Sequence, residues 1–546
     1  MPISYDAQAF TIDGRRTRLV SGTLCPSRIP PEEWDARLHD ARMAGLNCVE
    51  VVVHWARHEP WPGALDFTGS NDIAAFLRLA HARGLLAILR VGPFVNAGFD
   101  LGGLPPWLLG VEQCTLRSAD EAWIAHATTF LTALARHIAP LQRTASPEGP
   151  VVLVQVEHEW LCGDDDLAEE ALSPYGRALR ESGIDVPIVN RDNLYHAPVV
   201  SSIEGWNDHE TPHAVARQMH FLAPDAPRLL LGVRPGHASV WGRKETPVDP
   251  GRLLRHLAEG IAAGAQVNID PFFAGTAFGF DGGRLADGPD AFLHPVSGPG
   301  GSLLEADGRF GAAALAARRL CTFATSFHRT LCNLDADDQP VVVSPHDGGC
   351  VSVVPSRGRQ GSLVWIFSPA SGAPKSVHLT LPDGETTEVH LLGDGVSWVL
   401  QDVHLFERTT LDLCTLNAFA LVGRTLVVYG RAGTTGTISI NGATAEVTVP
   451  RGHGADIEQH EGVTLVICNE SSIDTTWWRG DVVHVGVAGL DPSGEPLPHE
   501  KHRTCRRVDG DGVVQRVRMA AAKTTGTPRL RSWSVAGVDA WVDGTS

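Results

Sequence analysis

The sequence predicts an α/β protein: a (β/α)8 TIM barrel followed by C-terminal β-sandwich domains. Three observations carry that expectation. Over residues 1–330, eight short apolar strands alternate with amphipathic helical segments, as in a parallel sheet with crossover helices. No GxGxxG turn follows the first strand, which weighs against a doubly wound open sheet, the competing arrangement. Beyond residue 330 the pattern becomes short, alternating and rich in Val, Thr and Gly, which suits antiparallel strands joined by turns.

The strands are expected at "RLVSGTL" (18–24), "NCVEVVVHW" (47–55), "LLAILRVGPF" (85–94) and "VVLVQVEHEW" (151–160). Four more follow at "VPIVNRDN" (186–193), "VVSSIEGW" (199–206), "RLLLGVRPG" (228–236) and "QVNIDPFF" (266–273). Segments such as "PPEEWDARLHDARMAG" and "NDIAAFLRLAHARG" carry apolar residues at helical spacing and end on a glycine, which suits a helix terminus. Near residue 330 the helical "GAAALAARRLCTFATSFHRTL" gives way to "DADDQP". The expected domains are a barrel over 1–330, a β-rich domain over 331–410 and a β-sandwich over 411–546.

A chain of 546 residues exceeds what one core supports, in line with several domains. Its net charge of −18 argues against nucleic acid or an anionic membrane as partner, since both are held by Lys and Arg. Only four of the 45 basic residues are lysine, so arginine is the general cation here and no single Arg marks a site. The N-terminus shows no basic region followed by an apolar run, and no stretch approaches the ~18 apolar residues of a spanning helix. Ten cysteines occur without a CxxC pair, which predicts reduced thiols, a cytoplasmic location and no structural zinc. The oligomeric state is open.

Barrel enzymes work at the C-terminal ends of their strands. Those ends carry His54 and Trp55, Asn96, His158, Glu159 and Trp160, Asn190, Arg191 and Asp192, Glu204 and Trp206, Arg234 and His237, and Asn268 and Asp270. The rim is polar and acidic, and four of the eight barrel tryptophans (55, 160, 206, 241) fall at or just beyond strand ends. Sugars stack on indoles through their C–H faces and bond to Asn, His and carboxylates through their hydroxyls. The plain alternative is that these tryptophans fill the core. Glycoside cleavage needs two carboxyl groups across the bond. Glu159, reached through the apolar "VVLVQV", is the candidate proton donor. In an extended strand Glu157 shares its face and sits below it, so Glu157 is expected to be structural. His54, His58, His158 and His237 lack metal-ligand spacing, and no GxSxG elbow or P-loop occurs.

At this point the sequence resembles glycoside hydrolase family 35, the β-galactosidase family. The opening "VSGTLCPSRIPPEEWDARLHDARMAGLNCVEVVVHW" with "HEPWPGALDFTGSNDIAAFL", the third-strand "AILRVGPFVNAGFDLGGLPPWLL", the fourth-strand "VQVEHEW" (usually QVENEYG) and the eighth-strand "VNIDPFFAGTAFGF" (like GGTNFG) carry the likeness. The resemblance implies a retaining, exo-acting glycosidase that uses no metal or cofactor and takes an oligosaccharide or glycoside as substrate. It places Glu159 at the acid/base position and His158 at that of the family's asparagine.

The departures are equally specific. The family's nucleophile is a glutamate opening a motif like EFWPGWFDHWG on the seventh strand. The matching stretch is "GVRPGHASVWG", where that glutamate falls on Gly232, or on Val233 if the register slips by one. No Asp or Glu lies between Asp225 and Glu245. The galactose-binding glutamate corresponds to Gly98 and the second-strand tyrosine to Val52. A relocated second carboxylate is therefore expected at Glu204 or Asp270, with Asp192 a weaker candidate. The substrate-binding set is expected to include His158, Asn96, Trp55, Trp160, Asn190, Asp192, Trp206, Arg234, His237 and Trp241. Two functions follow: an atypical family-35 glycoside hydrolase, or a non-catalytic carbohydrate-binding protein on the same barrel.

Overall fold

The computed structural model describes residues 2–519, except 161–166, 193–198, 200, 208–210, 280, 286–287, 289, 297, 299–300, 337–340, 346–348, 370–371, 382–383 and 500–502. Beyond 519 it describes only the strand pair at 534–535 and 538–539. Eight parallel strands form one sheet: β1 (Val20–Leu24), β2 (Cys48–Val52), β3 (Leu86–Gly92), β4 (Val151–Val156), β5 (Ile188–Asn190), β6 (Ser202–Glu204), β7 (Leu229–Val233) and β8 (Gln266–Phe273). Neighbours follow sequence order, and β8 returns to β1 with Val267 opposite Val20. Closure between β6 and β7 rests on Trp206, whose backbone N–H donates to Leu229 O at 2.8 Å and whose carbonyl accepts from Leu231 N at 2.9 Å.

The helices of the barrel are α1 (Trp34–Met43), α2 (Ile73–Ala82), α3 (Glu121–Ile138), α4 (Ala168–Glu181), α5 (Pro212–Leu222), α6 (Pro250–Ala262) and α7 (Ala312–Ser326). Among the described residues no helix separates β5 from β6. The ends form for local reasons. Asp72 caps α2 by accepting from Ala75 N at 2.8 Å, and Asp249 caps α6 by accepting from Gly251 N and Arg252 N, with Pro250 in the first turn. Helices cover the outside of the sheet, so β1, β2, β4 and β7 are buried at every position.

Two expectations change here. The fourth strand stops at Val156, and both Glu157 (φ 56°) and Glu159 (φ 50°) take left-handed backbone conformations. The strict face-sharing expected of an extended strand through Trp160 does not hold. The second change concerns the division at residue 410. A seven-stranded antiparallel sheet runs through Leu334–Ala336, Ser352–Gly358, Gly361–Phe367, Val396–Phe406, Thr409–Cys414, Thr435–Ile440 and Ala443–Thr448. Val396–Phe406 pairs with Thr409–Cys414 as a hairpin, so position 410 lies inside a continuous sheet and not between domains.

A three-stranded sheet (Val342–Pro345, Ser376–Thr380, Thr386–His390) shares a small core with the larger one, built from Val364, Ile366, Val399, Val377, Leu379 and Val389. Further sheets follow, including Asn417–Val422, Thr425–Gly430, Val463–Asn469 and Ala455–His460. Helix α7 ties this β region to the barrel. Phe323 packs on Trp365 and Trp398, with ring centroids 5.8 and 4.8 Å away. The buried Arg318 stacks 3.6 Å over Trp477 and donates to Thr476 O. The nine described cysteines are free thiols, and among the described residues no helix is long and apolar enough to cross a membrane.

Because Trp398 is fully buried against α7, Trp398→Ala is expected to cost about 3–5 kcal/mol of stability through lost packing and a residual cavity. Denaturant unfolding monitored by tryptophan fluorescence measures this; a loss under about 1 kcal/mol would contradict the role given to the seam.

Candidate active site

The barrel interior is charged. Glu50, in the middle of β2, is fully buried and accepts from Thr23 Oγ1, from Arg90 and from Asn268 Nδ2 (3.1 Å). Arg90 on β3 also donates to Asp270 Oδ2 at 2.7 Å. Arg191, one residue past β5, ion-pairs with the same Asp270 oxygen at 2.8 Å and lies 3.7 Å from Glu50. Two buried guanidinium groups thus meet two carboxylates, a balance that burial demands. Burial by itself raises the Asp270 carboxyl, but Arg90 and Arg191 outweigh it and hold Asp270 well below the usual carboxylate range. Asp270 is ionised, and its side chain is 17% exposed.

From this core the network reaches Glu159. Arg191 Nε donates to Asn207 Oδ1, and Asn207 Nδ2 donates to Glu159 Oε1 at 2.6 Å. Arg234 Nη2 reaches the same Oε1 at 2.9 Å, and Asn96 Nδ2 reaches Oε2 at 3.3 Å. The buried His158 ring lies 3.8 Å from Oε2 through Nε2 and 3.3 Å from Gln155 Nε2 through Nδ1. Burial holds the His158 pKa far down, and Arg90, Arg191, Arg117 and Arg234 push the same way, so the imidazole is neutral.

The left-handed turns at Glu157 and Glu159 disfavour side chains other than glycine. Arg117 holds them. It donates to Glu157 Oε1 at 2.9 Å, to His158 O at 3.0 Å and to Glu159 O at 2.8 Å, and stacks 3.8 Å over Phe94. Glu159 N donates to Arg191 O at 2.9 Å, and Trp160 N to Asp192 Oδ1 at 3.0 Å. The two glutamates are thereby sorted. Glu157 is fully buried on Arg117, while the Glu159 side chain keeps 16% exposure at the mouth.

Gly232 explains the missing seventh-strand carboxylate. A Cβ added there would sit 2.3 Å from Asn207 Oδ1 and 2.5 Å from Arg191 Nη2. The space in front of Gly232 is filled by the Asn207 amide, which follows β6, and the Arg191 guanidinium, which follows β5. Two residues on, and so on the same face of an extended chain, Arg234 points back to Glu159.

The other candidates divide. Glu204 Oε1 accepts from the backbone N of Asp192 at 3.1 Å. Asp192 is buried and accepts from Asn190 Nδ2 at 3.4 Å. Burial, reinforced by the Glu157 carboxylate, pushes the Asp192 pKa up to about 7. Asn268 lies deep in the barrel, bonded to Thr23 and Leu231 O. Of the four tryptophans only Trp241 offers a face, at 57% exposure against His294. Trp55 is fully buried, stacked on Phe130 and donating to Glu59, while Trp160 and Trp206 belong to the hydrophobic core. These three indoles are core residues and correct the expectation of a ring of sugar platforms: each packs into the hydrophobic cluster of the barrel. His237 is exposed, His54 stacks on Phe99 and His58 faces Asp66 O, so these histidines do not converge.

Sequence reasoning missed Arg117, Asn207, Arg90 and Glu50. Asn207 directly follows Trp206 and could have been included as the next rim residue. Arg117 lies in the connection before α3 with no pattern around it, and the two core residues look like isolated charges in apolar strands.

These features define a barrel whose mouth holds carboxylates amid amide and guanidinium donors. The sequence pattern of glycosyl hydrolases family 35 matches residues 9–291, and the chain belongs to that family. It is 34% identical over 291 residues to a β-galactosidase of Xanthomonas manihotis, covering 52% of this chain and 48% of that protein. It is 32% identical over 289 residues to the human β-galactosidase, covering 51% and 42%. The chain thus spans about half the length, or less, of these curated relatives. Among solved structures, the β-galactosidase of the psychrophilic Marinomonas ef1 aligns with a TM-score of 0.41 and 14% identity over 57% of this chain and 60% of that one. The exo-β-1,4-mannosidase Op5Man5 of Opitutaceae bacterium strain TAV5 aligns at 0.42 and 17%, over 60% and 62%.

Gly232→Glu is expected to destabilise the fold by about 1–3 kcal/mol through overpacking, with no gain of cleavage, and adding Asn207→Ala should recover part of the loss. Thermal unfolding of the single and double variants checks this; a fully stable single variant would show that Arg191 and Asn207 give way freely.

An exposed Asp ionises near 3.8, whereas Asp192 stays protonated up to about 7 in the fold. Its contribution to stability is complete below about pH 3.8 and is lost as pH rises through about 7. Asp192→Asn should therefore gain stability relative to the parent as pH rises from about 5 to 8. Melting curves across that range decide it; a pH-independent difference would remove Asp192 as the titrating group.

Proposed function

We propose that this chain is a glycoside hydrolase of the β-galactosidase type acting on a non-reducing-end sugar, with Glu159 as acid/base and Asp270 as the second carboxylate. The observation that carries this reading is the state and place of Asp270. It is held ionised by Arg90 and Arg191, and Arg191 is the group that fills the space in front of Gly232. A carboxylate on β8 thus stands one guanidinium away from the position vacated on β7. Family membership and the two β-galactosidase relatives support the reaction class.

In this scheme Glu159 protonates the leaving oxygen, and Asp270 either attacks the anomeric carbon or activates water. The first route retains the anomeric configuration and the second inverts it. Asn96 and Asn207 orient Glu159, and the half-exposed Arg234 is the partner that an incoming glycosidic oxygen displaces. Trp241 offers the exposed face for a sugar ring. Gly98 and Val52 replace the galactose-reading side chains of the family, so the sugar accepted is a galactoside or a related glycoside.

One observation favours a second reading, a carbohydrate-binding protein without turnover. Asn96, Asn207 and Arg234 all use the Glu159 carboxyl as an acceptor, and binding needs no proton from it.

Screening natural oligosaccharides, with the product anomer followed by NMR, separates the two. Glu159→Gln and Asp270→Asn are each expected to lower kcat by about 10²-fold or more. Undiminished turnover in Glu159→Gln would sink the catalytic assignment, and binding without cleavage by the parent would establish the second reading. Activated aryl glycosides are a poor probe, because their leaving groups need little acid assistance.

A further inference from the structure

At the opposite end of the barrel from Glu159, a cavity of about 530 Å³ opens between the strand beginnings and the β region. Arg18 precedes β1, Arg228 precedes β7, and Arg217, His213 and His220 line it from α5. Among the described residues Asp335 is the one carboxylate in the lining. In a chain of net charge −18 such a concentration of cations runs against the average surface.

Arg18 makes the cavity more than a basic patch. It is 1% exposed and donates through Nη2 to Ala265 O at 3.1 Å, yet its Nε has no partner and no carboxylate pairs with it among the described residues. Arg228 donates to Ala263 O at 2.6 Å and to Ala7 O at 3.3 Å, and its Nε is equally without a partner. Burial pushes the Arg18 pKa down to about 10, and repulsion from Arg228 acts in the same direction. Elsewhere in this molecule the buried Arg90 and Arg191 are matched by carboxylates. Arg228 feels the attraction of Asp335, whereas among the described residues Arg18 has no carboxylate to match it and borders a cavity with room for a counter-charge, which an unsatisfied buried cation calls for.

We propose that this cavity binds a small divalent oxyanion: phosphate, or the phosphate group of a small metabolite. Arg18 and Arg228 form its floor. Arg217 and His220, on the solvent side of α5, form its entrance. A dianion there gives the guanidinium groups charge-assisted hydrogen bonds and links the barrel to the strands at Leu334–Ala336 and Ser352–Gly358. Its effect is on the stability of that junction, far from the sugar site.

Calorimetric titration and thermal unfolding of the full chain test this with inorganic phosphate, with a hexose phosphate, and with sodium chloride at matched ionic strength. A saturable rise in Tm with either phosphate and none with chloride is expected. Tighter binding of the hexose phosphate would assign the remaining space to the sugar; equal binding would assign the site to free phosphate. The double variant Arg217→Gln/His220→Gln alters exposed side chains, keeps the fold, and is expected to weaken binding at least about tenfold. Arg18→Met should abolish it, with circular dichroism confirming that the variant folds. No saturable binding by the parent, or unchanged binding by the double variant, overturns the proposal.

Discussion

The mouth of this barrel depends on one buried guanidinium. Arg191 touches Asp270 with one nitrogen and Asn207 with another, and a third occupies the space in front of Gly232. A fully buried arginine is costly unless its charge is matched, and removing a partner from such a cluster costs about 3–5 kcal/mol. That constraint couples positions far apart in the chain. Asp270 belongs on β8 because Arg90 and Arg191 need a counter-charge, and β7 carries glycine because Arg191 needs the room. The glycine on β7 and the carboxylate on β8 are thus tied to the same guanidinium.

The same network gives two glutamates, two residues apart, different surroundings. Arg117 draws Glu157 into the interior and fixes the carbonyls of His158 and Glu159, which stabilises two left-handed residues on either side of His158. Glu159 is thereby turned to the mouth, where amide and arginine donors meet it. A carboxyl group there serves proton transfer or sugar recognition equally well in geometric terms. The proposed catalytic role rests on a second, ionised carboxylate, Asp270, one guanidinium away from Gly232.

The β region is a participant in the architecture of the barrel. Its largest sheet crosses the boundary that composition suggested, because a hairpin leaves no visible interruption where one sheet continues. Helix α7 offers Phe323 and Arg318 to tryptophans of that region, while the N-terminal face of the barrel closes over a cationic cavity against its strands. Arg90 and Arg191 inside the barrel are matched by carboxylates, whereas Arg18 at this seam is bonded to a backbone carbonyl.

Much of this was legible in one dimension. Apolar runs spaced by amphipathic segments announce parallel strands, because period and burial are local properties of the chain. Terminal glycines of the amphipathic segments mark helix ends, because the conformation a helix end needs is a local property. The gap at Gly232 was visible too, as a stretch without any carboxylate from 226 to 244. The sequence by itself determined the barrel, its family and the stretch without a carboxylate on the seventh strand. Only the tertiary structure decided that three rim tryptophans lie in the core, that β4 ends before Glu157, and that Arg191 and Asn207 occupy the vacated space. Those outcomes depend on contacts between residues on different strands, and charge pairing across a closed barrel leaves no periodic trace along the chain.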